Sequence, residues 1–136
     1  MAARSKARKR AIDLLFEAEQ RQVNARDLLK ERLAAPVTEA PLTEFTADLV
    51  VGVVDNWTQI NDLLTTYSQG WTLERMPAVD RAILRLGAYE VLFADVPEGV
   101  AISEAVALAT ELSTDDSPKF VNGLLARLAE VKPTLA

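Results

Sequence analysis

Apolar residues recur at intervals of three and four along almost the whole chain, and that rhythm confines it to helices packed on one another. Ala7, Ala11, Leu14, Leu15 and Ala18, flanked by Ile12 and Phe16, set the rhythm over roughly residues 5–21. Asn24 can cap a second, short helix with Asp27 in its first turn and Leu28, Leu29 and Leu33 on one side, before the Pro36 to Pro41 stretch ends it in a loop. Thr43 then caps a segment striped by Phe45, Leu49, Val53 and Trp57; Ile60, Leu63, Leu64 and Tyr67 continue the period after Asn56, giving one bent helix or two.

A glycine breaks the pattern between Ser68 and Trp71, and Thr72 can cap a brief turn through Met76. Pro77, tolerated where a helix begins, opens the most apolar segment, Ala78 to Phe93, most of whose circumference must be covered. Asp95 to Gly99 read as a turn through Pro97, with Ser103 as the cap of the next helix, alanine-rich up to Leu112. Pro118 opens the last helix, which carries Phe120, Val121, Leu124, Leu125 and Leu128. No strand pattern competes. The expectation is an all-α fold, a compact bundle of six or seven helices forming a single domain over residues 1–136, with a basic N-terminal segment 1–10.

Charge divides the chain unevenly. The first ten residues carry Arg4, Lys6, Arg8, Lys9 and Arg10 and no acid, whereas the other 126 hold ten bases and twenty acids, so a net charge of −5 conceals a small positive pole on an acidic body. Cations at a helix start suit phosphate oxygens, because they release condensed counterions and the helix end adds its own positive dipole. The alternative is a solvated basic tail.

Several chemistries are excluded outright. There is no cysteine and no histidine, which removes disulfides, thiolate metal sites, the commonest zinc ligand and the usual general base near neutral pH. No run of about 18 apolar residues could span a bilayer, and the basic start leads into a segment interrupted by Asp13, Glu17 and Glu19, unlike a signal peptide. A cytoplasmic protein without membrane contact or cofactor is expected. No phosphate-cradling glycine loop is present, so catalysis would rest on carboxylates. Asp115 and Asp116 are adjacent, but ahead of Pro118 they read first as acids compensating a helix dipole. Trp57 and Trp71 lie in apolar stripes, where core packing competes with base stacking. An enzyme is not expected.

Four stretches carry a resemblance. AVDRAILRLGAYE over Ala78–Glu90, VAISEAVALATELS over Val100–Ser113 and SPKFVNGLL over Ser117–Leu125, in that order and spacing, resemble the C-terminal half of the bacterial NusB transcription-factor family. RSKARKRAIDLLF over Arg4–Phe16 is similar to that family's arginine-rich first helix. The resemblance implies an all-helical RNA-binding factor that pairs with NusE, a small-subunit ribosomal protein. Together the two hold single-stranded boxA RNA and load a complex on RNA polymerase that suppresses termination, chiefly in ribosomal RNA synthesis.

Carried over by position, Arg4, Lys6 and Arg8 match the RNA-contacting motif and Lys9 and Arg10 extend it. Phe16 stands where a tyrosine is common, so it can stack on a base but offers no phenolic hydroxyl. Asp116, Lys119, Phe120 and Asn122 fall in the motif beside the RNA surface. Asp80 falls where an acid meets a basic NusE residue, and Arg81 and Glu90 join it as partner-binding candidates. Structural alternatives accompany most of these: Phe120 as a core anchor, Gly123 as a close-packing residue, Glu90 paired internally with Arg85 or Arg127, and Asp80 as an exposed first-turn acid at a helix dipole. The N-terminal cations have none, since burying five of them unpaired would be prohibitive.

Two rivals remain open. Helical domains of this type also precede the methyltransferase domain of certain ribosomal RNA cytosine methyltransferases, although no cofactor-binding strand–loop–helix pattern follows Lys132. The other is a homodimer with the basic pole buried at its interface.

Overall fold

Seven α-helices and no strand make up the described residues, 2–36 and 41–135, of a computed structural model. They are α1 (Ala3–Arg21), α2 (Ala25–Ala34), α3 (Glu44–Asp55), α4 (Trp57–Tyr67), α5 (Ala78–Leu92), α6 (Glu98–Leu112) and α7 (Ser117–Val131), followed by one 3-10 turn at Lys132–Thr134. The loop expected between Pro36 and Pro41 falls, at 37–40, outside the described residues.

Local chemistry sets most of the boundaries. Asn24 Oδ1 accepts the backbone N–H of Arg26 at 2.8 Å, and Thr43 Oγ1 accepts that of Thr46 at 3.2 Å, so both expected caps form. The long stripe from Phe45 to Tyr67 is two helices, since the backbone turns at Asn56, whose side-chain amide donates to the Gly52 carbonyl at 2.8 Å. Helix α1 closes at Gln22 in a left-handed conformation (φ 56°), with the N–H of Val23 returning to the Ala18 carbonyl at 3.0 Å.

Thr72 opens the expected brief turn, its carbonyl accepting from the N–H groups of Arg75 and Met76. One boundary differs from expectation. Helix α6 starts at Glu98 and leaves Ser103 in its exposed interior, because the carbonyl of Pro97 already accepts the N–H groups of Val100 and Ala101 at 3.0 Å. A carbonyl that starts the ladder leaves no role for a later cap.

Helix α5 is the axis of the bundle. It packs against α1, α3, α4, α6 and α7, and nine of its fifteen residues are buried, including Ile83, Leu84, Leu86, Ala88 and Val91 from different sides. Its neighbours come close where side chains are small. A Cβ at Gly52 of α3 would lie 2.1 Å from the Tyr89 ring, and one at Gly87 would lie 2.6 Å from Leu125 and 3.4 Å from Ala105. The alanine face of α6, Ala101, Ala105 and Ala109, is buried, as its composition anticipates. Helices α1, α2 and α3 pack on one another, as do α6 and α7, and α5 touches members of both groups.

Candidate nucleic-acid interface

The five N-terminal cations sit on one helix, but the helix turns them to different surroundings. Arg4 and Lys6 point into solvent; Arg4 has its guanidinium carbon 4.7 Å from the centroid of the Phe45 ring, and Lys6 has no ion pair among the described residues. Arg8 faces inward. Its Nε and Nη2 donate to the two carboxylate oxygens of Glu90 at 2.7 and 2.9 Å, and Nη1 lies 3.5 Å from Glu104. The hydrogen bonds to Glu90 raise the pKa of the guanidinium despite the opposing effect of burial.

A structural alternative therefore exists for one of the five cations, contrary to expectation. Arg8 is 3% exposed and Glu90 1%, so in this conformation neither is open to RNA or to a partner. Glu90 pairs with neither Arg85 nor Arg127, the internal partners expected from the sequence; its partner lies 82 positions away on α1. Lys9 is half-buried and pairs with Glu111 on α6 at 2.8 Å, a hydrogen bond that raises its pKa. Arg10 Nη1 donates to the Pro41 carbonyl at 2.9 Å. Phe16 is exposed on the same helix, at 39%.

Asp80 also differs from expectation. It occupies the first turn of α5, as anticipated, but that turn meets the start of α7 and Asp80 is wholly buried. Ser117 Oγ donates to its Oδ2 at 2.7 Å, and Ser117 in turn contacts the hydroxyls of Ser113 at 3.0 Å and Thr114 at 2.9 Å. Its neighbour Arg81 points the other way, half-buried, with Nε donating to Glu19 at 2.8 Å and Nη1 donating to the carbonyls of Leu73 and Met76 at 2.8 Å each. Arg85 completes this cluster, donating to Glu19 at 2.6 Å and to Asn61 at 2.8 Å while lying 4.3 Å over the Trp57 ring. Burial pushes the Glu19 carboxyl up, but the two guanidinium groups outweigh it and hold its pKa below the usual value. Trp57 is thus a surface platform, 39% exposed, and not a core residue.

The first turns of α7 form one wall of an open groove of ≈ 530 Å³, lined by Tyr67, Gln69, Asp116, Lys119, Phe120 and Arg127 among others. Lys119, Asp116 and Asn122 are exposed, as is Asp115. Phe120 is half-buried, packed edge-on against Trp71 with ring centroids 5.0 Å apart, so it anchors the helix while still lining the groove. Arg127 lies 5.5 Å over the Tyr67 ring. Gly123 also lines the groove but packs nothing closely, since a Cβ there would meet no atom within 4 Å. Tyr67, Gln69 and Arg127 carry no signal in the sequence because they come from two distant stretches, the end of α4 with the residues just beyond it and the body of α7, whose own patterns explain them locally.

The N-terminal cations and the α7 groove are linked through α6. Lys9 touches Glu111 in its last turn, and the five-residue step from Glu111 to Asp116 cannot exceed about 18 Å of extended chain. Exposed cations, an aromatic-lined groove and hydroxyl-rich turns suit a phosphate backbone with unstacked bases. Among the described residues no cluster of three or more His, Cys, Asp or Glu side chains is arranged to hold a metal, and no helix is long and apolar enough to cross a membrane.

A model of the NusB family matches residues 5–130. The chain belongs to the NusB family. The matched span contains every candidate residue named above except Arg4, one position before it. The chain is 59% identical over 144 residues to the transcription antitermination protein NusB of Beutenbergia cavernae, covering 99% of this chain and 94% of that protein. It is 57% identical over 137 residues to that of Kineococcus radiotolerans, covering 100% and 99%. The fold matches that of T. maritima NusB with a TM-score of 0.82 at 33% identity, covering 95% of this chain and 92% of that one. It matches a chain in the crystal structure of antitermination factors NusB and NusE in complex with dsRNA with a TM-score of 0.79 at 25% identity, covering 94% and 96%.

Proposed function

We propose that the protein is a transcription antitermination factor, not an enzyme, that binds RNA together with NusE. The observation that carries this is the exposure of Arg4 and Lys6 at the start of α1 and, on α7, of Lys119 beside the Tyr67–Phe120 groove. Family membership and the NusB–NusE–RNA neighbour support it. The finer reading is single-stranded boxA RNA, held jointly with NusE within an antitermination complex on RNA polymerase, chiefly during ribosomal RNA synthesis. An open groove with an aromatic wall favours unpaired bases over a duplex, whose bases are already stacked.

Titration of labelled boxA-type single-stranded RNA, and of the same sequence as a duplex, tests this with and without NusE. The protein alone binds the single strand weakly, and NusE tightens it by adding a second surface. Arg4, Lys6 and Lys119 as three phosphate contacts imply a slope of log affinity against log salt of about −2. Equal affinity for the duplex, or a slope near zero, overturns the reading. Sedimentation across the same salt range tests the homodimer alternative, in which association would compete with RNA.

A further inference from the structure

Lys9 is held by one surface acid and nothing deeper. Its Nζ lies 2.8 Å from Oε1 of Glu111, and the two side chains are 36% and 42% exposed. Glu104, two turns earlier on the same face of α6, accepts from Ser5 Oγ at 2.8 Å and stands 3.5 Å from Arg8. Helix α6 thus presents a line of carboxylates to the cationic start of α1. The exposed carboxylate of Asp13 adds to the field around Lys9 from one turn along its own helix.

The two acids are not equivalent. Glu104 faces a buried guanidinium and a hydroxyl, so it belongs to the frame that fixes α1 on α6. Glu111 faces only a lysine, whose flexible stem and rotating ammonium let it change partners where the planar, doubly bonded Arg8 cannot. An exposed lysine–carboxylate pair is weak, so exchange for a phosphate oxygen costs little.

We propose that Glu111 competes with RNA phosphate for Lys9, and so sets how many cations of α1 an RNA strand engages. This rests on the RNA-binding function above. While Glu111 holds the Lys9 ammonium, RNA docked on Arg4 and Lys6 gains no contact from it; when the ammonium exchanges to a phosphate, one contact is added and the freed carboxylate returns to water. The acid is an affinity-limiting residue built into the binding surface, placed by α6 beside cations that sequence alone would count as free.

The test is a salt titration of a short labelled single-stranded RNA against wild type, Glu111→Gln, Lys9→Gln and the double variant, with melting curves for each. Glu111→Gln tightens binding about threefold at low ionic strength and steepens the salt slope by roughly 0.7, with an unchanged melting temperature. The gain vanishes when Lys9→Gln is present. Unchanged affinity in Glu111→Gln overturns the proposal, as does a gain of the same size without Lys9, which would mark a general field effect. Absence of any wild-type binding to the RNA instead overturns the RNA-binding function itself, and separates that failure from this one.

Discussion

The guanidinium of Arg8 and the carboxylate of Glu90 meet through two parallel hydrogen bonds, at 2.7 and 2.9 Å, inside the junction of α1 with α5. The fork-on-carboxylate geometry satisfies both groups where water cannot reach. Removing one partner leaves a buried charge uncompensated, so Arg8→Ala or Glu90→Ala destabilises the fold by about 3 to 5 kcal/mol. Paired replacement by apolar residues of similar size recovers most of that loss. Urea denaturation of the single and double variants measures both effects, and a loss below 1 kcal/mol in the single variants would show the pair to be incidental.

Asp80 gives a second structural test. Because its carboxylate is buried against Ser117, Asp80→Lys forces an ammonium into a buried site that offers hydroxyls but no paired acid, and strongly destabilises the protein. Ser117→Ala removes a hydrogen bond to a charged group and costs about 1.5 to 3 kcal/mol. Thermal unfolding monitored beside NusE binding separates the roles: an Asp80→Lys variant that stays fully stable yet loses NusE affinity would return Asp80 to the interface.

The Glu19 cluster predicts a pH dependence with a definite sign. Its pKa lies below the usual carboxylate value in the folded state, so its contribution is fully present above that usual value, about 4.3, and is lost as pH falls through the lower folded value. Wild type is therefore more stable than Glu19→Gln at neutral pH, and the difference shrinks on acidification below the usual range. Denaturation of both proteins across acid pH checks this; a gap that widens on acidification contradicts it.

Glycines on α3 and α7 predict opposite outcomes. Gly52→Ala drives a methyl group into the Tyr89 ring and costs about 1 to 3 kcal/mol. Gly123→Ala meets no atom within 4 Å on an exposed helical face, so it stabilises by roughly 0.5 to 1 kcal/mol. Melting temperatures of the two variants should move in opposite directions.

What the sequence makes legible here is local. Periodicity places the helices, and Asn24 and Thr43 cap as their side chains dictate, because a cap needs only the two or three residues after it. Helix α6 is misread at its start because Ser103 offers a cap signal while Pro97, a poorer one, already supplies the first carbonyl. The division of the basic pole is invisible for a different reason. Arg4 and Arg8 share one face of α1, both over the Phe45 ring, and differ in depth, since Arg8 lies one turn further in where Glu90 and Glu104 meet it; the acids that claim Arg8 and Lys9 lie 82 and 102 positions away. The buried setting of Asp80 likewise depends on Ser117, brought to it by the packing of α7 on α5.

The split of that basic pole into an exposed pair and a structural arginine is tested most directly by the salt dependence of RNA affinity in an Arg4→Ala/Lys6→Ala variant. Loss of two phosphate contacts flattens the slope by about 1.4, while urea denaturation shows stability within about 0.5 kcal/mol of wild type, as for surface substitutions generally. An unchanged slope, or unfolding of that variant, would contradict the assignment of Arg4 and Lys6 as the RNA-facing cations.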